Sequence, residues 1–375
     1  MTFRNAITIA QKMELSGGHS NGFAYMRLFL ATSVVIWHTV VTSYGQAVQD
    51  QIWLGPYRAA NIFMLPIFFA LSGFLVSASL DRCRTPISFL GLRVLRIFPA
   101  LALETLLCAL VLGPLLTHLP LGDYFSAKAF WAYFLNAFGI IHKDLPGVFA
   151  DNPLPEVVNG QLWTIMAEMG CYFGLAVLSL VALRYKWLLL IFFVLFQAMF
   201  VFWIVTHPGL IITRMTGLEL GLCFTASAGL YKFRHRIPWH GTLGLLALLA
   251  MIGLLSLNCG TLLVAIPTAY FTVWLSLMSP KMPAWLRSND YSYGIYLFSF
   301  PIQQMVATQA WAHSWYINGL ISLPLTLLAA VVSWHLLEKP VMKRKKMAYH
   351  FEDWLLTLWN RYRPVKPSAH DMVGE

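Results

Sequence analysis

Ten apolar stretches, each long enough to cross a lipid bilayer, decide what this chain can become. They run near residues 25–44, 58–80, 97–117, 161–183, 187–206, 211–230, 240–257, 260–279, 291–310 and 317–337. A bilayer core of about 30 Å takes roughly 20 residues of helix, and within lipid a helix satisfies its own backbone hydrogen bonds. The expected fold is therefore all-α, a polytopic membrane helical bundle of about ten transmembrane helices. Composition agrees: of 375 residues, 58% are hydrophobic and 11% charged, which excludes an ordinary soluble globule. An eleventh apolar piece, 129–141, is too short to span and reads as a re-entrant or interfacial segment.

The formal charge of +10 is a topology signal rather than a nucleic-acid footprint, because most basic residues lie in short connections between apolar stretches. With a cytoplasmic N-terminus and a segment 129–141 that turns back, 21 of the 26 lysines and arginines fall on the cytoplasmic side. Both termini are then expected inside, with residues 1–24 as a cytoplasmic N-terminal segment, 25–340 as the membrane domain and 341–375 as a cytoplasmic tail. Residues 1–24 hold Arg4 and Lys12 but no apolar core followed by a cleavage site, so no removable signal peptide is expected. In the tail, Phe351, Trp354, Leu355, Leu358, Trp359 and Tyr362 share one face of an amphipathic helix that reads as an interfacial anchor among membrane lipids. Five scattered cysteines have neither metal-ligand nor disulfide-framework spacing. The long outer loop, roughly 119–160, has the length and prolines of a segment that shapes an outward-facing site.

A charge at the middle of a spanning helix costs about 2.5–3.5 kcal/mol on insertion scales, so each such residue needs a partner, a wet cavity or a chemical role. Arg27 and His38 are the first pair. Eleven positions at about 100° each bring them within roughly 20° of one face and about 16 Å apart along the axis. Such a line fits an extended molecule that is anionic at one end and reactive at the other, as acyl-coenzyme A is. The plainer alternative is a snorkelling Arg27 and a His38 bonded to another helix. Helical depth brings Glu168 and Glu219 to the level of His38, with Arg214 nearer the outer surface; Arg214 and Glu219, five apart and not on one face, read more simply as each bonded to another helix than as a chemical pair. Arg93 and Arg96 stand on one face at the cytoplasmic mouth, where they serve either as a phosphate fork or as ordinary positive-inside topology. Glu338 reads as a helix-end residue in an ion pair. No nucleophile elbow, HExxH zinc motif or P-loop is present, so neither a metal nor a permanently bound cofactor is expected.

Taken in order, RLFLATSVVIWH at 27–38, FFALSGFLVS at 68–77, RVLR at 93–96 with Pro99, NGQLWTIMAEMGCYF at 159–173, GLELG at 217–221, YSYGIYL at 291–297 and HLLEKP at 335–340 resemble the acyltransferase 3 family of integral membrane O-acyltransferases. The resemblance runs from about residue 25 to 340. It implies that His38 is the catalytic histidine, that Arg27, Arg93 and Arg96 hold the acyl donor from the cytosolic side, and that Trp163 and Glu168 belong to the active-site wall. Two positions depart from the family pattern: FAYM stands before Arg27 where an acidic residue is common, and Ser299 stands where members often have a second histidine. The expected activity is transfer of an acyl group, acetyl in the first instance, from acetyl-CoA or another acyl-CoA to a hydroxyl of a glycan or lipid-linked saccharide at the outer face. His38 would act as base with Glu168 assisting, and Arg214 and Glu219 would lie in the acceptor wall. The expected setting is a bacterial inner membrane. The alternative class is a transporter or flippase with His38, Glu168 and Glu219 as a relay.

Overall fold

Helix ends in this chain are written by small polar residues and glycine. Ser20 caps the first long helix through its side chain, which accepts from the Gly22 N–H, and Gly45 at φ +81° ends it in a conformation that side chains other than glycine rarely adopt. Thr85 followed by Pro86 opens the third, and a capping box of Thr216 and Glu219 opens the sixth. The computed structural model describes residues 6–18, 20–182, 186–207 and 215–362. Among them regular structure is entirely helical, with two isolated bridges and no strand.

Ten long helices carry the fold: α1 Asn21–Tyr44, α2 Met64–Arg82, α3 Pro86–Leu107, α4 Trp163–Ala182, α5 Lys186–Thr206, α6 Gly217–Lys232, α7 Gly241–Leu255, α8 Ala265–Ser276, α9 Ser292–Ala307 and α10 Trp315–Ser333. A helix occupies each of the ten apolar stretches. Five segments are long and apolar enough to cross a membrane: Asn21–Tyr44, Met64–Arg82, Pro86–Leu116, Gly160–Leu180 and Trp315–Leu358. Several of the others are short. α6, α8 and α9 have 16, 12 and 16 residues, which at about 1.5 Å each is under the bilayer core. The segment 129–141 is a short helix, Lys128–Tyr133, followed by a 3₁₀ turn, Phe134–Phe138, and does not span.

The core lies where α2 packs between α1, α6 and α8, with Leu71, Phe74, Leu220, Phe224 and Val273 almost wholly buried. Gly73 explains the closeness of α2 and α6: a Cβ there would meet the Phe224 carbonyl oxygen at 2.1 Å. α9 and α10 pair with each other and close on α1.

The basic connections gather at one end. Ile9 and Ala10 donate to the carbonyls of Ile237 and Arg234, both at 3.0 Å, and Tyr25 bonds to the Lys281 carbonyl. Helix Lys346–Tyr362 docks on the start of α3 through Thr85–Glu352 and Arg84–Asp353, while Phe351 and Trp354 stay exposed. At the opposite end the long loop 119–160 is locked down. Asn152 donates to the Gln304 carbonyl at 2.8 Å, and Gln304 returns bonds to Leu154 and Val157.

Candidate active site

α1 carries a cavity at each end of its polar line. Toward the basic end, Arg27, Arg93 and Arg96 line one of about 150 Å³ together with Ser72, Glu168 and Tyr172. Toward the other end, His38 and Trp163 line one of about 370 Å³ beneath the outer loop, which contributes Lys143, Leu154 and Val157. Val34, Leu65, Thr164 and Tyr296 belong to both walls.

The three arginines are held differently. The Arg96 guanidinium bonds to Asp290 at 2.8 Å and to Glu338 at 3.5 Å, and lies between the rings of Tyr293 and Trp334, each 5.6 Å away. Arg27 reaches the same Asp290 oxygen at 3.4 Å. Arg93 touches no carboxylate: it donates to the Ser79 hydroxyl at 3.1 Å, and its Nε is buried with no hydrogen-bond partner. Asp290 precedes α9. Burial acts to raise its pKa, but Arg27, Arg96 and the hydroxyl and N–H of Ser292 outweigh burial and hold the carboxylate well below its ordinary value. It therefore remains an anion bridging two cations. Glu168 accepts from the Ser72 hydroxyl at 2.9 Å and from Tyr172.

In the other cavity, the His38 ring meets Phe300 edge-on with centroids 5.2 Å apart, and its Nδ1 is buried without a hydrogen-bond partner. No carboxylate lines this cavity among the described residues. Glu168, expected beside the imidazole, faces the arginine cavity instead; helical depth gave its level in the bilayer but not the seam it points into. Glu219 lines neither cavity. It is almost fully buried, accepts from the Thr216 N–H at 2.6 Å and from the Thr261 hydroxyl, and faces the charge of Arg58. Arg214 lies outside the described residues.

Residues 20–337, a span that includes both cavities, match the model of the acyltransferase domain. The chain belongs to the acyltransferase 3 family. The acyltransferase is 27% identical over 351 residues to the O-acetyl transferase of Shigella phage Sf6, covering 87% of this chain and 97% of that one. It is 27% identical over 372 residues to nodulation protein 10 of Rhizobium leguminosarum bv. viciae, covering 88% and 95%. No solved structure matches it. With family and apolar helices together, it is an integral membrane enzyme that transfers acyl groups.

Asp290, Ser72, Tyr172 and Tyr296 were missed by the sequence reading. Tyr296 sits inside YSYGIYL, so only its motif pointed to it, and Asp290 gave no signal beyond its charge. Glu338 pairs with Arg96 and not with its neighbour Lys339, which bonds to Asn289 at 2.9 Å. In the acyltransferase, Glu219 serves as helix cap and buried counter-charge. Glu219→Ala is expected to cost about 1–3 kcal/mol by leaving the Thr216 N–H and the Thr261 hydroxyl without their acceptor, with turnover per folded molecule unchanged. Thermal unfolding in detergent alongside active-fraction kinetics reads both quantities.

Proposed function

We propose that the acyltransferase moves an acetyl group from acetyl-CoA, held on the cytosolic side, to a hydroxyl of a glycan or lipid-linked saccharide at the outer face. The observation that carries this reading is the pair of cavities on α1, arginine-lined and histidine-lined, sharing four wall residues. Phosphates suit the first, where Arg93 has donors to spare and Arg27 has a buried, unpartnered Nε. The second suits a sugar: Trp37, Trp53 and Trp163 offer ring faces, and Gln46, Gln49 and Asn61 offer amides. The acetyl group and the hydroxyl acceptor also agree with the printed name of the Shigella phage relative.

In this reading the acceptor hydroxyl attacks the thioester carbonyl while His38 takes its proton, and no permanently bound cofactor or metal takes part. The membrane is a bacterial inner membrane, with about ten helices inserted and both termini cytoplasmic, in keeping with the clustering of basic connections at one end. Purified enzyme in vesicles is expected to release free thiol from acetyl-CoA only when a lipid-linked oligosaccharide is supplied, with radiolabelled acetyl recovered on the saccharide. Acceptor-independent thiol release, or label recovered elsewhere, overturns the assignment. For transport, His38, Glu168 and Glu219 would have to be joined, and no contact joins them.

A further inference from the structure

We propose that the Thr164 hydroxyl is the hydrogen-bond donor to the acyl carbonyl, with Tyr296 as its positioning residue; this rests on the acyl-transfer reading above. If the donor's phosphates occupy the arginine cavity and the hydroxyl acceptor occupies the histidine cavity, the reacting carbonyl must lie where the two meet. Four residues form that boundary, and Val34 and Leu65 offer only hydrocarbon. Negative charge developing on a carbonyl oxygen in such a place needs a preorganised donor, because an unpaired oxyanion among apolar groups is strongly disfavoured.

The hydrogen bonds single out one proton. The Tyr296 hydroxyl donates to the Gln161 carbonyl at 2.6 Å, so its proton is committed. In the 2.8 Å contact between Thr164 and Tyr296 the threonine is then the donor, and the same hydroxyl lies 3.3 Å from the Gln161 carbonyl as its longer alternative acceptor. The Gln161 amide is committed as well, donating to the carbonyls of Tyr296 at 2.9 Å and Leu297 at 3.3 Å. These bonds tie the entrance of α4 to α9 and fix the frame around Thr164. Its hydroxyl can exchange the Tyr296 oxygen for a substrate carbonyl by rotation about one C–O bond. Glu168, four residues on and on the same face of α4, lines the arginine cavity, so α4 passes from donor pocket to junction within one turn.

The step balances as follows. The acceptor oxygen bonds to the carbonyl carbon as its proton passes to His38, and the C=O electron pair moves onto the oxygen, where Thr164 donates to it. The pair then returns, the C–S bond breaks, and the leaving thiolate takes the proton from the His38 imidazolium, giving ester and free thiol.

Thr164→Val and Thr164→Ala are expected to lower kcat by about 10²–10³-fold, the usual effect of losing one oxyanion donor, with the donor KM raised by no more than about tenfold. Thr164→Ser, which restores the proton, should recover kcat to within about tenfold of the natural enzyme. Binding of two stable donor analogues adds a readout that a merely structural role would not move. A ketone with methylene in place of sulfur should bind the natural enzyme about tenfold more tightly than Thr164→Ala, whereas a thioether lacking the carbonyl should bind both alike. The proposal is overturned if Thr164→Ala keeps kcat within about threefold, or if the ketone binds the two proteins equally. Should turnover prove indifferent to His38 as well, the acyl-transfer reading itself fails; dependence on His38 with indifference to Thr164 removes the threonine alone.

Discussion

His38→Ala lowers kcat by about 10²–10⁴-fold, the contribution typical of a positioned general base, while donor affinity stays within about threefold. The expectation follows from the separation of the two cavities. His38 lines only one of them, and the arginines line only the other, so removing the imidazole leaves the proposed donor contacts intact. It also follows from what surrounds the ring. With no carboxylate on the cavity wall among the described residues, no neighbouring acid stands ready to take over the proton. His38→Gln, which keeps polarity and approximate size, is expected to be equally inactive, and donor binding measured by calorimetry separates a chemical defect from a folding one. Full turnover in a folded His38→Ala enzyme would sink the assignment of the base.

The second large effect divides Arg93 from Arg96. Both belong to RVLR, yet only Arg96 is an ion-pair residue in the structure. Arg96→Ala leaves Glu338 without its cation and Asp290 with Arg27 alone. Arg96 and Asp290 keep 20% and 24% of their side-chain surface exposed, so the loss is set at about 3 kcal/mol, the lower end for broken buried pairs. Unfolding temperature reports it, and the double change Arg96→Met with Glu338→Gln is expected to recover part of the stability. Arg93→Ala breaks no ion pair. It should leave the unfolding temperature near that of the natural enzyme and raise the donor KM by about 10–100-fold, as expected for a lost charge-assisted bond to phosphate. Equal stability losses in both variants would contradict this division.

Which parts of this site could be read from residues alone follows from the range of the interactions. The alignment of Arg27 with His38 is a property of one helix and needs only its periodicity, and the structure keeps it as one wall of each cavity. That the loop 119–160 shapes a site followed from its length and prolines, whereas its placement over His38 comes from the packing. Glu168 shows the limit: counting residues along a helix gives height in the membrane, whereas the direction a side chain faces depends on which helices pack around it, here α2 with Ser72. Asp290 marks the same limit more sharply, since its partner Arg96 lies 194 positions away in the chain. Helix length was also overestimated at α8, because apolar composition continues into the 3₁₀ turn Gly260–Leu262 before it and into Leu277 after it.

The bridge from Arg27 to Asp290 has a consequence for biogenesis. The first long helix enters the membrane early in synthesis, but the carboxylate that steadies its arginine is made only after eight of the ten long helices. Until then the arginine cavity lacks both that anion and the α9 tyrosines, so a nascent or truncated chain ending before α9 carries Arg27, Arg93 and Arg96 without the wall that closes around them. The arginine cavity is thus completed late in synthesis, when α9 comes in to close it.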